Sequence, residues 1–586
     1  MKKHIIIAGM CLWAFNALAL DEIVVRANKL KAEVYDYIIT AEDLKIEKAK
    51  SVAEVLNRLP GFNAISRGFS LIQTDLSANA GTLEQVSIII DGVRVNDLQT
   101  GHYSLDIPLA MSDIEEIGVI SNGSCAYGDG GFSGLVNIKT KKYDSDTLKT
   151  AVSYGSFGTF FSTLTMAKKL EDLTVAGTFE KSFSQGFHED TGYDKNTAVL
   201  KFNYAGDYQI KTGYDEKDYG AYDFYTPGKG YPSKEYIITK TLEGSAFDKQ
   251  DFGLSAYAKN HYDRFTLDNR VPKKNNRTTT GETGATGRYQ FMIFETNPVR
   301  IKYNYQREEM QSSTMGNHYR DRNLMIINAA ITSIETMYSG INLSVESYDL
   351  AKKYDVLPEI NMSWEPYKLL KVYGGISYSK RYPNFTELYY KDNFNSGKVD
   401  LGPEKSAEYS FGMTNVFGSI RFNKSFFYKM SEDVIDWAAA VVTDMDGNTR
   451  NGWQIKNIGK INTTGITVDL SVDLKEAKLD LGYQYLDSKV SDTYVSKYGI
   501  TYLRNKFTGG LDFYFLDITT RLKYTYKNYT NRKDFSSIFD IIITGPVLKG
   551  LTATLKVSDV FDQYFEEIKG IPAMRRGVEG RFDFEF

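Results

Sequence analysis

An all-β transmembrane barrel of about 22 antiparallel strands, preceded by a small α/β domain, is the fold class this sequence predicts. Three observations carry it. From about residue 150 to the end, apolar and polar residues alternate in runs of strand length, and at roughly 20 residues per strand and turn the remaining chain accommodates about 22 strands. Tyr (42) and Phe (34) raise the aromatic content to 14% while Pro numbers only 12. That balance favours extended strands carrying amphipathic rings at a boundary. Beyond the first nineteen residues, no apolar run approaches the roughly 20 residues of a spanning helix, so a membrane role falls to strands.

The chain opens with Lys2 and Lys3, an apolar run over 5–18, and the small-residue pattern Ala17-Leu18-Ala19. This is the pattern of an export signal over 1–19, with cleavage expected after Ala19. Removal leaves Asp21, Glu22, Ile23, Val24, Val25, Arg26 and Ala27, within a segment over 20–28, at the free end of the mature chain. A β-branched segment in that position is a handle for strand addition by another protein. Cys125 is then the only cysteine, which excludes an intramolecular disulfide and a cysteine metal cluster. With 70 basic and 74 acidic residues and a net charge of -4, nothing points to a nucleic-acid partner.

Residues 29–142 read as the small α/β domain. Ser51-Val52-Ala53-Glu54 has the form of a capping box; Val52, Val55, Leu56 and Leu59 then share a helical face, and Pro60-Gly61 stops the helix. Val86, Ser87, Ile88, Ile89 and Ile90 form a buried-strand run, turned by Asp91-Gly92 into Val93-Arg94-Val95. Ser112 to Glu115 offers a second capping box before Ile117-Gly118-Val119-Ile120, and a glycine-rich stretch over 123–134 leads into Leu135-Val136-Asn137-Ile138. Those glycines lack both the P-loop lysine and the dinucleotide spacing, so they serve turns and close packing rather than phosphate.

Residues 143–586 read as the barrel. Ile466, Val468, Leu470, Val472 and Leu474 interleave with polar residues, a turn falls around Glu476, and Leu479, Leu481, Tyr483 and Tyr485 repeat the pattern. At the end, Phe582, Phe584 and Phe586 oppose Arg581, Asp583 and Glu585. A soluble two-sheet core does not bury that many strands, whereas lipid covers their outer faces and closure removes their edges. The five histidines (His4, His102, His188, His261, His318) show no ligand spacing, and no nucleophile motif occurs, so no enzyme is expected. Asp444-Met445-Asp446-Gly447 reads as a hairpin turn rather than a calcium loop, because the other ligand positions are missing.

Several of these stretches carry a family resemblance. Ser51-Val-Ala-Glu-Val-Leu-Asn-Arg-Leu-Pro-Gly61, Ile90-Asp-Gly-Val-Arg-Val-Asn-Asp97, and Tyr127-Gly followed by Gly134-Leu-Val-Asn-Ile-Lys-Thr140 resemble the plug domain of TonB-dependent outer-membrane receptors. Arg381-Tyr-Pro-Asn-Phe-Thr-Glu-Leu-Tyr389, Gly402-Pro-Glu-Lys-Ser406, Asn457-Ile-Gly-Lys and Lys556-Val-Ser-Asp-Val-Phe-Asp562 resemble the family's barrel signatures, and the terminal Phe586 its C-terminal aromatic. One departure is local: Ser121-Asn122-Gly123 replaces the usual Arg-Gly-Pro.

The resemblance implies a plug inside the barrel lumen and a location in the outer membrane of a Gram-negative bacterium. It makes residues 21–27 the TonB box, hence the contact for a TonB-type energy-transducing protein of the periplasm, and it implies a small-molecule substrate. A monomer in outer-membrane lipid is expected. Two plug loops, 66–77 and 96–106, should face outward, with Arg67, Phe69, Gln73, His102 and Tyr103 lining the ligand cup. The stretch Asp218-Tyr-Gly-Ala-Tyr-Asp-Phe-Tyr-Thr-Pro-Gly228 resembles loops of the cobalamin-receptor branch and adds Tyr222 and Tyr225. Asp215, Asp218 and Asp223 there are either calcium ligands that order the loop or solvated carboxylates; no cofactor is required. Cobalamin or another corrinoid is the substrate this implies. A ferric siderophore, haem and a passive porin-like barrel are the alternatives, and haem is disfavoured because 391–399 holds no histidine.

Overall fold

The computed structural model describes residues 36–585, apart from positions 127, 129–130, 226–227, 249–250, 272–274, 295–296, 335, 350–352, 444–448, 492–495, 497–501 and 531–534. The export segment, residues 21–27, the turn at 444–447 and Phe586 lie outside the described residues.

The first body is built on a five-stranded sheet. Its strands are β1 (Tyr37–Thr40), β4 (Val86–Ile90), β5 (Val93–Arg94), β6 (Ile114–Ile120) and β7 (Gly134–Thr140), in the order β1-β6-β7-β4-β5. A separate hairpin, β2 (Phe62–Ser66) and β3 (Thr74–Ala78), projects from it. Two short helices, α1 (Ala41–Glu47) and α2 (Val52–Leu56), close the core on Leu56, Phe62, Ile88, Ile117, Val136 and Ile138.

The sequence reading missed α1, a polar segment capped by a Thr40–Asp43 capping box. At α2 the Ser51 hydroxyl accepts from Glu54 N (3.3 Å) as read, but the Glu54 carboxylate accepts from Lys50 N (3.3 Å), and the helix ends at Leu56 rather than reaching Leu59. The second expected capping box does not form. Residues 111–113 make one 3-10 turn, Ser112 bonds Thr165 Oγ1 (3.1 Å), and Asp113 is taken by Lys201 on the wall (2.7 Å). The turn at Asp91-Gly92 forms as read.

The second body is a closed antiparallel barrel of 22 strands. It runs from Thr147–Gly155 to Gly577–Glu585, and these two strands pair with each other (Glu585↔Lys149) to seal the cylinder. Alternation sets the two faces. Along Tyr193–Tyr204, Tyr193, Lys195, Thr197, Val199 and Lys201 are buried inward, while Leu200, Phe202 and Tyr204 are 37%, 40% and 54% exposed on the outside, where lipid covers them. The turn around Glu476 lies where the pattern put it, with Leu474↔Ala477 the last pair.

One rim carries short turns (171–172, 418–419, 475–476, 516–517, 549–550) and the other long loops (185–192, 221–233, 382–403, 559–576), which orients the barrel with the short turns toward the periplasm. Strands Ile420–Thr443 and Thr449–Leu474, at 24 and 26 residues, extend well beyond their neighbours on the long-loop side.

Three inward aromatic rings lie across directly paired glycines: Tyr257 on Gly284, Tyr373 on Gly412 and Phe427 on Gly465. A Cβ at Gly465 would overlap the Phe427 ring, whereas one at Gly281 would meet nothing within 4 Å. Gly465→Leu is therefore expected to destabilise the barrel by roughly 1–3 kcal/mol while Gly281→Ala changes it little. The temperature at which the protein loses its compact mobility in detergent gels measures both.

Candidate functional site

The small domain is bound to the lumen wall chiefly by wall lysines. Lys201 Nζ meets Asp113 (2.7 Å), Lys211 meets Asp91 (2.5 Å), and Lys217 meets both Asp106 and the Ile72 carbonyl (3.1 Å). Lys259 donates to the Val95 and Asn96 carbonyls (2.7 and 3.2 Å), Lys506 to the Leu59 and Phe62 carbonyls (2.8 and 2.5 Å), and Lys429 to Ser133 Oγ (2.9 Å). On the C-terminal strand, Glu579 and Asp583 receive Lys50 and Lys48 (2.5 and 3.0 Å).

At the long-loop end the domain presents the β2–β3 loop (67–73) and the loop over 96–106. The structure brings Arg67, Phe69, Gln73, His102, Tyr103 and Tyr225 into one cluster, because the barrel loop 221–233 folds inward over the hairpin. Arg67 donates to the Phe224 carbonyl and to Asp75 Oδ2 (3.0 Å), with its guanidinium 5.3 Å from the Tyr225 ring centroid. Gln73 Nε2 donates to the Tyr225 hydroxyl (2.7 Å), and Phe69 packs on Phe187 and Tyr193 (centroids 5.3 and 5.1 Å).

His102 Nδ1 bonds Asp75 Oδ1 (2.6 Å). Burial alone would raise the Asp75 carboxyl, but the charges of His102 and Arg67 and their hydrogen bonds outweigh it and hold that carboxyl well below the usual range. Tyr222 stands apart at the rim, against His188 (5.3 Å).

Beneath this layer Tyr103 meets a polar floor whose other members, Tyr219, Gln99, Glu235, Asp263 and His261, are not among the predicted cup residues. Tyr103 OH donates to Glu235 Oε1 (2.5 Å) and Tyr219 OH to Glu235 Oε2. Gln99 Nε2 reaches Asp263 Oδ2 (3.5 Å), and the Tyr103 ring lies 5.1 Å from that of His261. Burial, reinforced by the charges of Asp263 and Glu235, pushes the Tyr103 phenol far up, and burial pushes Asp106 up to about 7 against the pull of Lys217. Apart from the plug loop that carries Tyr103, the sequence signal for this floor is the alternation that turns Glu235 and Asp263 inward.

A second clamp comes from the loop 382–403. Its helix α3 (Phe385–Tyr389) directs the backbone N–H groups of Phe385 and Thr386 at the Leu98 and Gln99 carbonyls (3.0 and 3.1 Å). Arg381 fixes that helix through a bidentate pair with Glu387 (2.9 and 2.9 Å), and also binds Glu404 (2.5 Å). Asp215, Asp218 and Asp223 are not brought together. Asp215 faces the lumen and is taken by Lys195 (2.9 Å) and Thr197 (2.6 Å); Asp218 points outward to Lys234 (2.9 Å); Asp223 caps a turn by accepting from Gly230 N and Tyr231 N (3.0 and 2.8 Å). Among the described residues no group of three or more His, Cys, Asp or Glu side chains is placed to hold a metal ion.

A 22-strand barrel blocked by a separately folded domain that is attached through polar contacts is a plugged outer-membrane receptor in its architecture. Residues 29–135 match the TonB-dependent Receptor Plug Domain and residues 127–554 match the TonB dependent receptor-like, beta-barrel family. The chain belongs to the TonB-dependent receptors, a family of the Gram-negative outer membrane. It is similar to the Vitamin B12 transporter BtuB of Photobacterium profundum, 22% identical over 615 residues spanning 96% of each chain. Among solved structures it is similar in fold to the siderophore receptor PirA from Pseudomonas aeruginosa (TM-score 0.75, 15% identity, covering 94% of this chain and 99% of that one). It is also similar to the FrpB iron transporter from Neisseria meningitidis (TM-score 0.77, 12% identity, 94% and 99%).

Because Asp75 ionises more readily folded than unfolded, its contribution to plug stability is present above about pH 4 and lost as pH falls below that. Thermal unfolding of the plug should weaken through that window. Asp75→Asn should be destabilised by about 2 kcal/mol at neutral pH and flatten the acid dependence; calorimetry at a series of pH values reads both.

Proposed function

We propose that this receptor takes up a corrinoid, cobalamin foremost, across the outer membrane by TonB-dependent active transport. The observation that carries the substrate class is the character of the apex. The two basic side chains among the predicted cup residues, Arg67 and His102, are both engaged by Asp75, Arg67 also by the Phe224 carbonyl, and the side chains around them are rings and amides: Phe69, Gln73, Tyr225, Phe187 and Phe265. A polyanionic ferric chelate calls for free cations, whereas a large ring system with apolar faces and an amide rim fits aromatic walls with a few fixed donors. The full-length similarity to a protein named a vitamin B12 transporter supports the same choice.

In this reading substrate seats on the apex and displaces the inward loop 221–233 from Gln73 and Arg67. Ser70 Oγ, in the same hairpin loop, donates to Glu54 Oε1 at the head of α2, so a shift of the loop is felt in the N-terminal half of the plug. Residues 21–27 then become available to a TonB-type partner by strand addition, and force derived from the inner-membrane proton gradient rearranges the plug. The substrate passes unchanged.

Cyanocobalamin, a ferric siderophore and haem added separately to the purified receptor decide the substrate: submicromolar binding of cyanocobalamin alone is expected, and binding of the siderophore without any corrinoid overturns the choice. Deleting residues 21–27 should abolish uptake in cells and leave affinity unchanged. Uptake that persists in the deletion, or after the proton gradient is collapsed, would identify a passive pore instead.

A further inference from the structure

On the lumen face of the wall, one row of charged side chains crosses the strands Phe252–Thr266, Asn275–Ile293, Asn297–Ser312 and Gly316–Ile334. In register it reads Lys259↔Glu282, Glu282↔Glu308 and Glu308↔Arg320. The two carboxylates in the middle of the row are directly opposite each other, and like charges in that relation repel.

Glu308 is compensated within the row: Arg320 Nε donates to its Oε2, and Gln306 Nε2 donates to its Oε1 (2.7 Å). Glu282 is not. Lys259 turns away from it toward the plug and donates to the Val95 and Asn96 carbonyls (2.7 and 3.2 Å). Glu282 is left 2% exposed with neither carboxylate oxygen hydrogen-bonded, and the Tyr257 hydroxyl approaches it without closing a full hydrogen bond.

The plug presents a second group of the same kind. Asp97 Oδ1 accepts from Gln99 N and Thr100 N (2.8 and 3.3 Å). Its Oδ2 is buried with no hydrogen-bond partner, 4.0 Å from Lys259 Nζ and 3.8 Å from His261 Nδ1.

Glu282 and Asp97 line one small chamber of about 30 Å3 between wall and plug, to which Asn96, Ser104, Gln306 and Glu308 add further oxygens. A space of that size holds one or two particles as large as water. With Glu84, Arg94, Arg320 and Arg381 included, four carboxylates and three guanidiniums line the chamber, which is one positive charge short of balance. Lys259 lies outside that lining, its ammonium held by backbone carbonyls.

A water molecule would donate to the two unbonded oxygens but would leave the facing carboxylates uncompensated, whereas a cation satisfies both needs. Oxygen donors are the kind that hard cations take. Two unengaged carboxylates beside several guanidiniums match a single charge, and a double charge would exceed the deficit.

We propose that this chamber binds one monovalent metal cation, sodium or potassium, between Glu282 of the wall and Asp97 of the plug. The ion joins the plug loop over 96–106 to the wall, so the firmness of that attachment depends on the cation the medium supplies. The site is separate from the apex cluster and stands whichever substrate the receptor takes.

Rubidium serves as the probe. Crystals of the full-length receptor soaked in rubidium chloride are expected to show an anomalous peak inside the chamber. In detergent, replacing N-methylglucamine chloride by sodium or potassium chloride at constant ionic strength is expected to raise the unfolding temperature of the plug by about 3 °C or more and to saturate with concentration. Glu282→Gln is expected to abolish that dependence.

No rubidium peak together with equal stability in all three chlorides leaves water alone in the chamber and overturns the proposal. Stability that falls identically in every salt as pH rises from about 6 to 9 means that a proton supplies the charge, which also overturns it. Stabilisation by calcium and by no monovalent ion puts a divalent cation there, and an ion dependence that survives in Glu282→Gln puts the site elsewhere; either result overturns it. If the glutamine variant does not assemble, Asp97→Asn replaces it with the same expectation, and the rubidium crystals require no variant.

Discussion

The whole molecule turns on how the plug is attached. Lysines from the wall meet carboxylates and carbonyls of the plug, and several of these pairs are almost fully buried, Lys201 with Asp113 and Lys217 with Asp106 among them. Buried ion pairs contribute little net stability compared with apolar packing, because each ion gives up its hydration; they do fix register, since a misplaced partner leaves a bare charge. A plug attached this way sits in one position, yet water can replace its wall contacts at modest net cost once a path for water exists. Its own core, on Leu56, Phe62, Ile117 and Val136, is apolar and has no such exchange available. The plug can therefore separate from the wall more readily than its centre can unfold.

The barrel solves the complementary problem. In lipid each backbone polar group must be bonded within the protein, and pairing of Gly577–Glu585 with Thr147–Gly155 leaves the sheet no edge. The inward face is then free to be polar, and rings laid over paired glycines, as Phe427 over Gly465, fill the lumen wall without projecting into the space the plug occupies.

Alternation makes the barrel legible from residue order alone, down to the turn at Glu476, since one register step would turn every apolar face inward. What a period of two conveys is the face, not the partner. Lys201 and Lys217 are plainly inward-facing residues, but nothing local pairs them with Asp113 and Asp106. The same limit applies to Asp215, Asp218 and Asp223, close in sequence but divided between the two faces of a strand and a turn. Helix α1 escapes because its polar sequence lacks an apolar stripe, although Thr40 and Asp43 spell its cap. At the apex, sequence identifies the two plug loops but not the inward fold of 221–233, which depends on Gln73 and Arg67 finding Tyr225 and Phe224 across the lumen.

The two ends of the plug consequently do different work. At the apex, plug loop, barrel loop and α3 contact one another directly, so in the proposed reading a ligand replaces contacts rather than filling a void. In that reading recognition is a competition with the bonds that Tyr225 and Arg67 already make. At the short-turn end, a cavity of about 490 Å3 lies between plug and wall, and the strand bordering it, β1, is the edge of its sheet. In the proposed reading, binding acts on side chains at the apex and pulling acts from the N-terminal end, two steps on separate elements of one small domain. The only described side-chain tie from the apex loop to the N-terminal helices runs from Ser70 to Glu54, so the two steps can be linked without the plug core being disturbed.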